Sequence, residues 1–191
     1  MKPVLLFLVL LLAGCQPPEQ AASPVSDSAR VARAHSAATD LGAGLMAMLT
    51  SEMARGGPAA AIAVCADSAQ ARTSRHQQEG VAVRRVGTRV RNVRNTPDSF
   101  ESAVLAAFQA ELRAGGAPTD TVVIQPMPGG QTRLRYLRAI RVQPQCLTCH
   151  GPESGIPDTV RTILATRYPD DRATGYAVGE LRGAISVQVG P

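Results

Sequence analysis

The chain opens on an unbroken apolar run, Val4 to Leu12, behind the short positive start Met1-Lys2. That run is too short to read as an ordinary membrane span and fits the core of an export signal. From Gln16 to about Ser28 the pattern has no period, and Pro17, Pro18 and Pro24 sit among Ser and Ala, as in a flexible tether. A helical pattern then runs from about Ala29 to Arg55, with Leu41, Leu45, Met48 and Leu49 on one stripe. Gly56-Gly57 breaks it, and Pro58 suits the first turn of a second helix reaching about Ser74. On that helix Ile62, Cys65, Ala66 and Ala69 share the face that would turn toward a core.

Val81 to Val86 alternates weakly and predicts a short strand, followed by an Arg- and Asn-rich loop to Asn95. Thr96-Pro97-Asp98 predicts a helix start with Thr96 as N-cap and Pro97 at the first helical position. Phe100, Val104, Leu105, Phe108 and Leu112 form its buried stripe, and Gly115-Gly116 ends it. Strands are expected over Thr121 to Gln125 and Thr132 to Val142, joined by a turn at Pro128-Gly129-Gly130. Leu134, Tyr136, Ile140 and Val142 fall on one face of the second. A helix is expected from about Asp158 to Arg167, and Gly183 to Val189 closes the chain as a strand with Ile185, Val187 and Val189 facing one way. Helices grouped before and between hairpin-linked strands predict an α+β fold with an antiparallel sheet.

The chemistry concentrates in Cys146-Leu147-Thr148-Cys149-His150. C-x-x-C-H is the attachment signature of c-type haem: two thiols one turn apart reach the vinyl groups on one porphyrin edge, and the next residue brings an imidazole to the iron. On this reading Cys146 and Cys149 anchor one covalent haem and His150 is its proximal ligand. A thioredoxin-like C-x-x-C would sit early, at the start of a βαβ unit. A zinc site would need a second ligand pair, and the chain has no second C-x-x-C. The motif comes late and no Met follows it, unlike a small class I cytochrome c. The strand pattern before it is also unlike a four-helix cytochrome c′.

Leu12-Ala13-Gly14-Cys15 has the form of a lipobox, the processing site of a bacterial lipoprotein. Cleavage before Cys15 would leave its thiol for lipid attachment, so the protein is expected on the periplasmic face of a membrane, anchored to it rather than spanning it. Gln16 after the Cys slightly favours the outer membrane. The organisation is thus a signal peptide over 1–14, a tether over 15–28 and a haem domain over 29–191. Of four cysteines this leaves Cys65 without an intrachain partner, either as a packed thiol or as an iron ligand. Aromatic residues make up only 3% of the chain and Trp is absent, so a buried porphyrin would add apolar bulk that the side chains lack. The net charge is +5, carried by Arg except for Lys2. Export argues against nucleic acid as the partner of that charge; haem propionates, anionic lipid or an acidic redox protein suit it better.

Several segments together resemble a family of c-haem-binding, PAS-like domains long catalogued as a domain of unknown function, which includes a cyanobacterial photosystem-associated haem protein and haem sensor domains of histidine kinases. They are Ala61 to Cys65, Arg91-Asn92 with Asn95 to Glu101, Tyr136 to Ile140, Cys146 to Gly151, and Tyr168 to Tyr176 running into Gly179 to Val187. The resemblance covers roughly residues 30 to 190. It implies a PAS-like antiparallel sheet flanked by helices and, at the position of Cys65, the distal ligand of a His/Cys-coordinated iron. His35, His76, Met46, Met48, Met53 and Met127 are the other candidates for that position. The chain departs from the family pattern at Val93, where Pro is common, and at Phe100, where Trp is common.

Arg84, Arg85, Arg89, Arg91 and Arg94 read as a solvated basic face of which one or two could meet propionates. Arg138 falls by parity on the apolar face of its strand, and a buried Arg there calls for an anion, for which a propionate would serve. A thiolate ligand stabilises ferric iron and is itself labile on reduction. These properties suit a non-enzymatic redox or gas sensor module, with a separate protein receiving the signal and CO or NO as the small ligand. A tethered electron carrier is the alternative. A peroxidase-like enzyme ranks third, since no distal His/Arg pair can be placed.

Overall fold

The computed structural model describes residues 26–75 and 80–190, and of 63–75 the backbone alone. The export signal, Cys15, most of the tether and His76 lie outside the described residues, as does the side chain of Cys65. Helix α1 spans Asp27–Arg75. It starts inside the predicted tether, where Ser26 caps it by accepting from the backbone N–H of Ala29 at 3.3 Å. The predicted break is present. Gly56 and Gly57 leave helical geometry, and Gly57 holds φ 69° with ψ −167°, a conformation open essentially to glycine alone.

Strand β1 (Val81–Val86), helix α2 (Ser99–Arg113), strands β2 (Asp120–Pro126) and β3 (Thr132–Arg141), helices α3 (Leu147–His150) and α4 (Asp158–Arg167), and strand β4 (Leu181–Val189) follow. The sheet is antiparallel in the order β1-β4-β3-β2, so the last strand of the chain lies between the first and third. The predicted α+β architecture, an antiparallel sheet flanked by helices, is the one observed.

Each face of the sheet carries one part of the core. Leu134, Tyr136, Ile185, Val187, Val189 and Val83 meet Ala34, Ala38 and Leu41 of α1 on one side. Leu137, Ala184, Leu181 and Val86 meet Val104, Leu105 and Phe108 of α2 on the other. The small residues of α1 let its backbone lie close on the strands. Buried Arg30 pins the start of α1 to the sheet: it donates to the carbonyl of Thr132 at 3.1 Å and to Thr132 Oγ1 at 2.8 Å.

Three local expectations are corrected. The N-cap of α2 is Asp98, not Thr96. Asp98 accepts from the N–H of Glu101 and Glu101 accepts from that of Asp98, both at 2.8 Å, a reciprocal pair that a hydroxyl at 96 cannot make. Thr96 instead donates to the carbonyl of Val93, closing a single turn over Val93–Asn95, and Pro97 precedes the cap. Val142 does not continue the face of Leu134 and Tyr136. The pairing register shifts between Ile140 and Arg141, β3 ends, and Val142 packs with Ala173 and Tyr176 instead. The last strand starts at Leu181 rather than Gly183.

Candidate functional site

The strand-ending shift at Ile140/Arg141 delivers the chain to Pro144, whose turn leads into the single helical turn of α3. That turn carries Thr148, Cys149 and His150, with Cys146 at its N-cap. Neither Cys146 nor Cys149 forms a disulfide. Cys146 packs with Leu147 against Val142, Ala173 and Tyr176. Cys149 packs against the cluster of Ile62, Ile156, Val160 and Leu164, which joins α1 to α4.

Cys146, Cys149 and His150 all border one cavity of about 810 Å³, between α1, the ends of β1, β3 and β4, and the motif itself. This lies within the range of about 300–1,000 Å³ usual for cofactor and ligand sites. Its α1 wall is apolar, with Met46, Met48, Leu49, Met53 and Ile62. Five arginines line it, Arg85, Arg91, Arg138, Arg141 and Arg182, and no Asp or Glu does among the described residues. A cleft with that balance of apolar side chains and arginines favours an apolar molecule bearing negative charge.

His150 is held from behind. Its Nδ1 faces the carbonyl of Ala173 at 2.6 Å; a carbonyl can only accept, so Nδ1 carries the proton and Nε2 keeps its lone pair. Burial, helped by the charges of Arg182 and Arg91, pushes its pKa down to about 3. The imidazole is therefore neutral at neutral pH, the form that binds metals. The segment that supplies the carbonyl runs alongside the motif, with Gly175 N donating to Gly151 O at 2.7 Å and Tyr176 N to His150 O at 2.9 Å.

Arg91 links the parts. Its Nε donates to Asp171 Oδ2 at 2.8 Å and its Nη2 to the carbonyl of Cys149 at 2.6 Å. Asp171 Oδ1 accepts from the N–H of Ala173 at 2.7 Å. The Arg91 and Asp171 side chains are only 13% and 11% exposed, so Arg91 does not belong to the solvated basic face expected for its loop. The role of Asp171 was not foreseen, because nothing local marks one carboxylate of Asp170-Asp171 as the buried one.

Arg138 is half-buried on the face turned toward α1 and borders the cavity. There it donates to Thr39 Oγ1 at 2.7 Å and meets Nε2 of His35 at the same distance. The described structure thus gives it a helix partner that parity alone did not foresee. Of the other candidate ligands, Met46, Met48 and Met53 border the cavity, whereas His35 and Met127 do not. Cys65 lies on α1 three residues beyond the cavity-lining Ile62.

Two thiols one turn apart, a neutral imidazole with one nitrogen tied back, and a cavity lined by apolar side chains and arginines form a donor set that fits a covalently held iron porphyrin. Fold and site together define an α+β domain with a thiol- and imidazole-bearing cavity at one end of its sheet. The chain belongs to the Tll0287-like family, whose model matches residues 18–190. The crystal structure of the cyanobacterial haem protein Tll0287 is similar to it, with a TM-score of 0.67 and 23% sequence identity over 86% of this chain and 97% of that one. At that identity the likeness speaks to the fold. No curated protein matches the chain.

Proposed function

We propose that this protein binds one covalent c-type haem in the cavity and serves as a membrane-anchored redox or gas sensor module. The observation that carries the reading is the convergence of Cys146, Cys149 and His150 on a single cavity lined by arginines and by no carboxylate among the described residues. Cys146 and Cys149 would hold the haem through thioether bonds and His150 would ligate its iron through Nε2. The bound haem supplies a one-electron couple and an exchangeable coordination position.

The rest of the site is assigned by what each residue can do. Cys65, on α1, is the proposed second iron ligand, a reading supported by the cysteine count and the family resemblance. Arg138 borders the cavity with its guanidinium on Thr39 and His35, from which it would turn to pair with a propionate, and Arg141 and Arg182 also border the cavity. The apolar side chains of the α1 wall, Met48, Leu49 and Met53 among them, would lower the local dielectric, which favours the thiolate–ferric pair over a hydrated iron. Lipid on Cys15 would tether the domain to the periplasmic face of a membrane, the outer one slightly favoured, where a separate redox or signalling protein would read its state.

The chain expressed with c-haem maturation should give an alkaline pyridine haemochrome typical of two thioether links, and Cys149→Ser should lose it. Cys65→Ala should change the low-spin ferric EPR spectrum; an unchanged spectrum removes Cys65 as a ligand. CO binding on reduction with loss of the thiolate supports the sensor reading. An iron that stays six-coordinate through repeated redox cycles indicates an electron carrier instead. Sustained peroxide turnover would indicate an enzyme. Cys15→Ser should move the protein from the membrane to the soluble periplasmic fraction.

A further inference from the structure

The polar contacts behind His150 close on themselves. From Cys149 the path runs through the peptide bond to His150, from Nδ1 to the carbonyl of Ala173, and from the N–H of Ala173 to Asp171. It continues through the ion pair to Arg91 and returns through Nη2 to the carbonyl of Cys149. Every link lies between 2.6 and 2.8 Å.

We propose that Arg91 and Asp171 are positioning residues for the His150 ligand, acting as a two-sided clamp that sets the orientation and donor strength of the imidazole. The proposal rests on the haem reading above. Three separate parts of the chain meet in this circuit: the loop after β1, the motif, and the segment before β4. None of them holds the imidazole alone. Asp171 keeps the residue-173 backbone where its carbonyl meets Nδ1. Arg91 keeps the motif backbone at a set distance from Asp171. A hydrogen bond to Nδ1 raises the basicity of the opposite nitrogen, so a firm clamp strengthens the bond to ferric iron more than that to ferrous iron.

The pair contains one positive and one negative side chain, which separates positioning from simple electrostatics. Arg91→Lys keeps the charge, but a single ammonium cannot reproduce the fork that reaches Asp171 and the carbonyl of Cys149 together. Asp171→Asn removes the charge and weakens the same circuit. If the clamp positions His150, both variants raise the reduction potential, each moving the ferric–ferrous equilibrium by about tenfold at a fixed poise. Both also broaden the ferric low-spin EPR signal into more than one species.

The measurements are potentiometric titration and EPR on the haem-loaded, full-length protein, with covalent haem counted by pyridine haemochrome. Covalent haem at wild-type level in both variants, with raised potentials, supports the proposal. A wild-type potential and spectrum in Arg91→Lys, beside a shift in Asp171→Asn, overturns it and leaves a plain charge effect, with the haem reading intact. If Asp171→Asn does not fold, Arg91→Lys carries the same test. A wild-type chain that takes up no covalent haem overturns both readings together.

Discussion

Glu101 has no exposed surface, yet it carries a carboxylate on the first turn of α2. Its Oε2 accepts the N–H of Asp98, while its Oε1 lies 3.5 Å from Arg135 and 3.8 Å from Arg84. Replacing it by Ala removes the acceptor for Asp98 N–H and one of the two carboxylates beside Arg135, which keeps Asp98, and we expect a loss of about 1–3 kcal/mol in urea unfolding. Glu101→Gln keeps the cap acceptor and should lose less. Asp98 responds to pH. Burial alone would raise its pKa, but the N–H of Glu101 and the guanidinium of Arg135 outweigh it and hold the carboxyl below its ordinary 3.8. A depressed carboxylate pKa contributes stability above the unfolded value that is lost as pH falls through the folded one. The stability gap between wild type and Asp98→Asn should therefore be constant above about pH 4 and close below it. Equilibrium unfolding at a series of pH values measures this.

Gly183 shows a different constraint. A side chain there would place Cβ 2.0 Å from the carbonyl of Val86, and its φ is +155°. Gly183→Ala must push β1 away from β4 beside the cavity, at a cost of about 3 kcal/mol or more in thermal or urea unfolding.

Among the elements, α1 was legible because its signals are local: an apolar stripe at helical spacing and a Gly-Gly break before Pro58. The break turns the helix so that residues 38–53 wall the cavity and Ile62 reaches the α4 cluster. Gly57→Ala forbids the turn at its present geometry and should cost about 1–3 kcal/mol, read as a lowered midpoint of helix loss by circular dichroism. The cap of α2 was misplaced by two residues for an instructive reason. Thr and Asp both cap helices, and the choice between them depends on Arg135, which comes from β3 and grips Asp98 at 2.8 Å. The face of β3 was read well as far as Ile140. It failed at Val142 because a register shift is set by the partner strand, not by the strand's own alternation.

Across the domain, the start of α1 is fastened to one end of the two central strands, β3 and β4. Arg30 near the start of α1 holds Thr132 at the start of β3, and Val189 at the end of β4 packs beneath the same helix. Arg30→Met keeps the apolar stem and removes the hydrogen bonds, so it should lower stability by about 1–3 kcal/mol in urea unfolding. Because α1 also walls the cavity, faster amide hydrogen exchange along residues 30–50 should accompany the loss.

The motif Cys146 to His150, the apolar stripe of α1 and most element boundaries were readable in the sequence. Thiol spacing, helical period, caps and glycine breaks act over a few residues, and their physics is the same in any fold. What lies behind His150 was not readable. Arg91 and Asp171 stand 80 residues apart, and each looks like an ordinary surface charge in its own loop. They meet because β4, last in the chain, inserts between β1 and β3 and draws the segments before and beside it onto the motif. Strand order and the buried charge pairs it creates are settled by which long-range contacts bury the most apolar surface together, and no local pattern carries that sum.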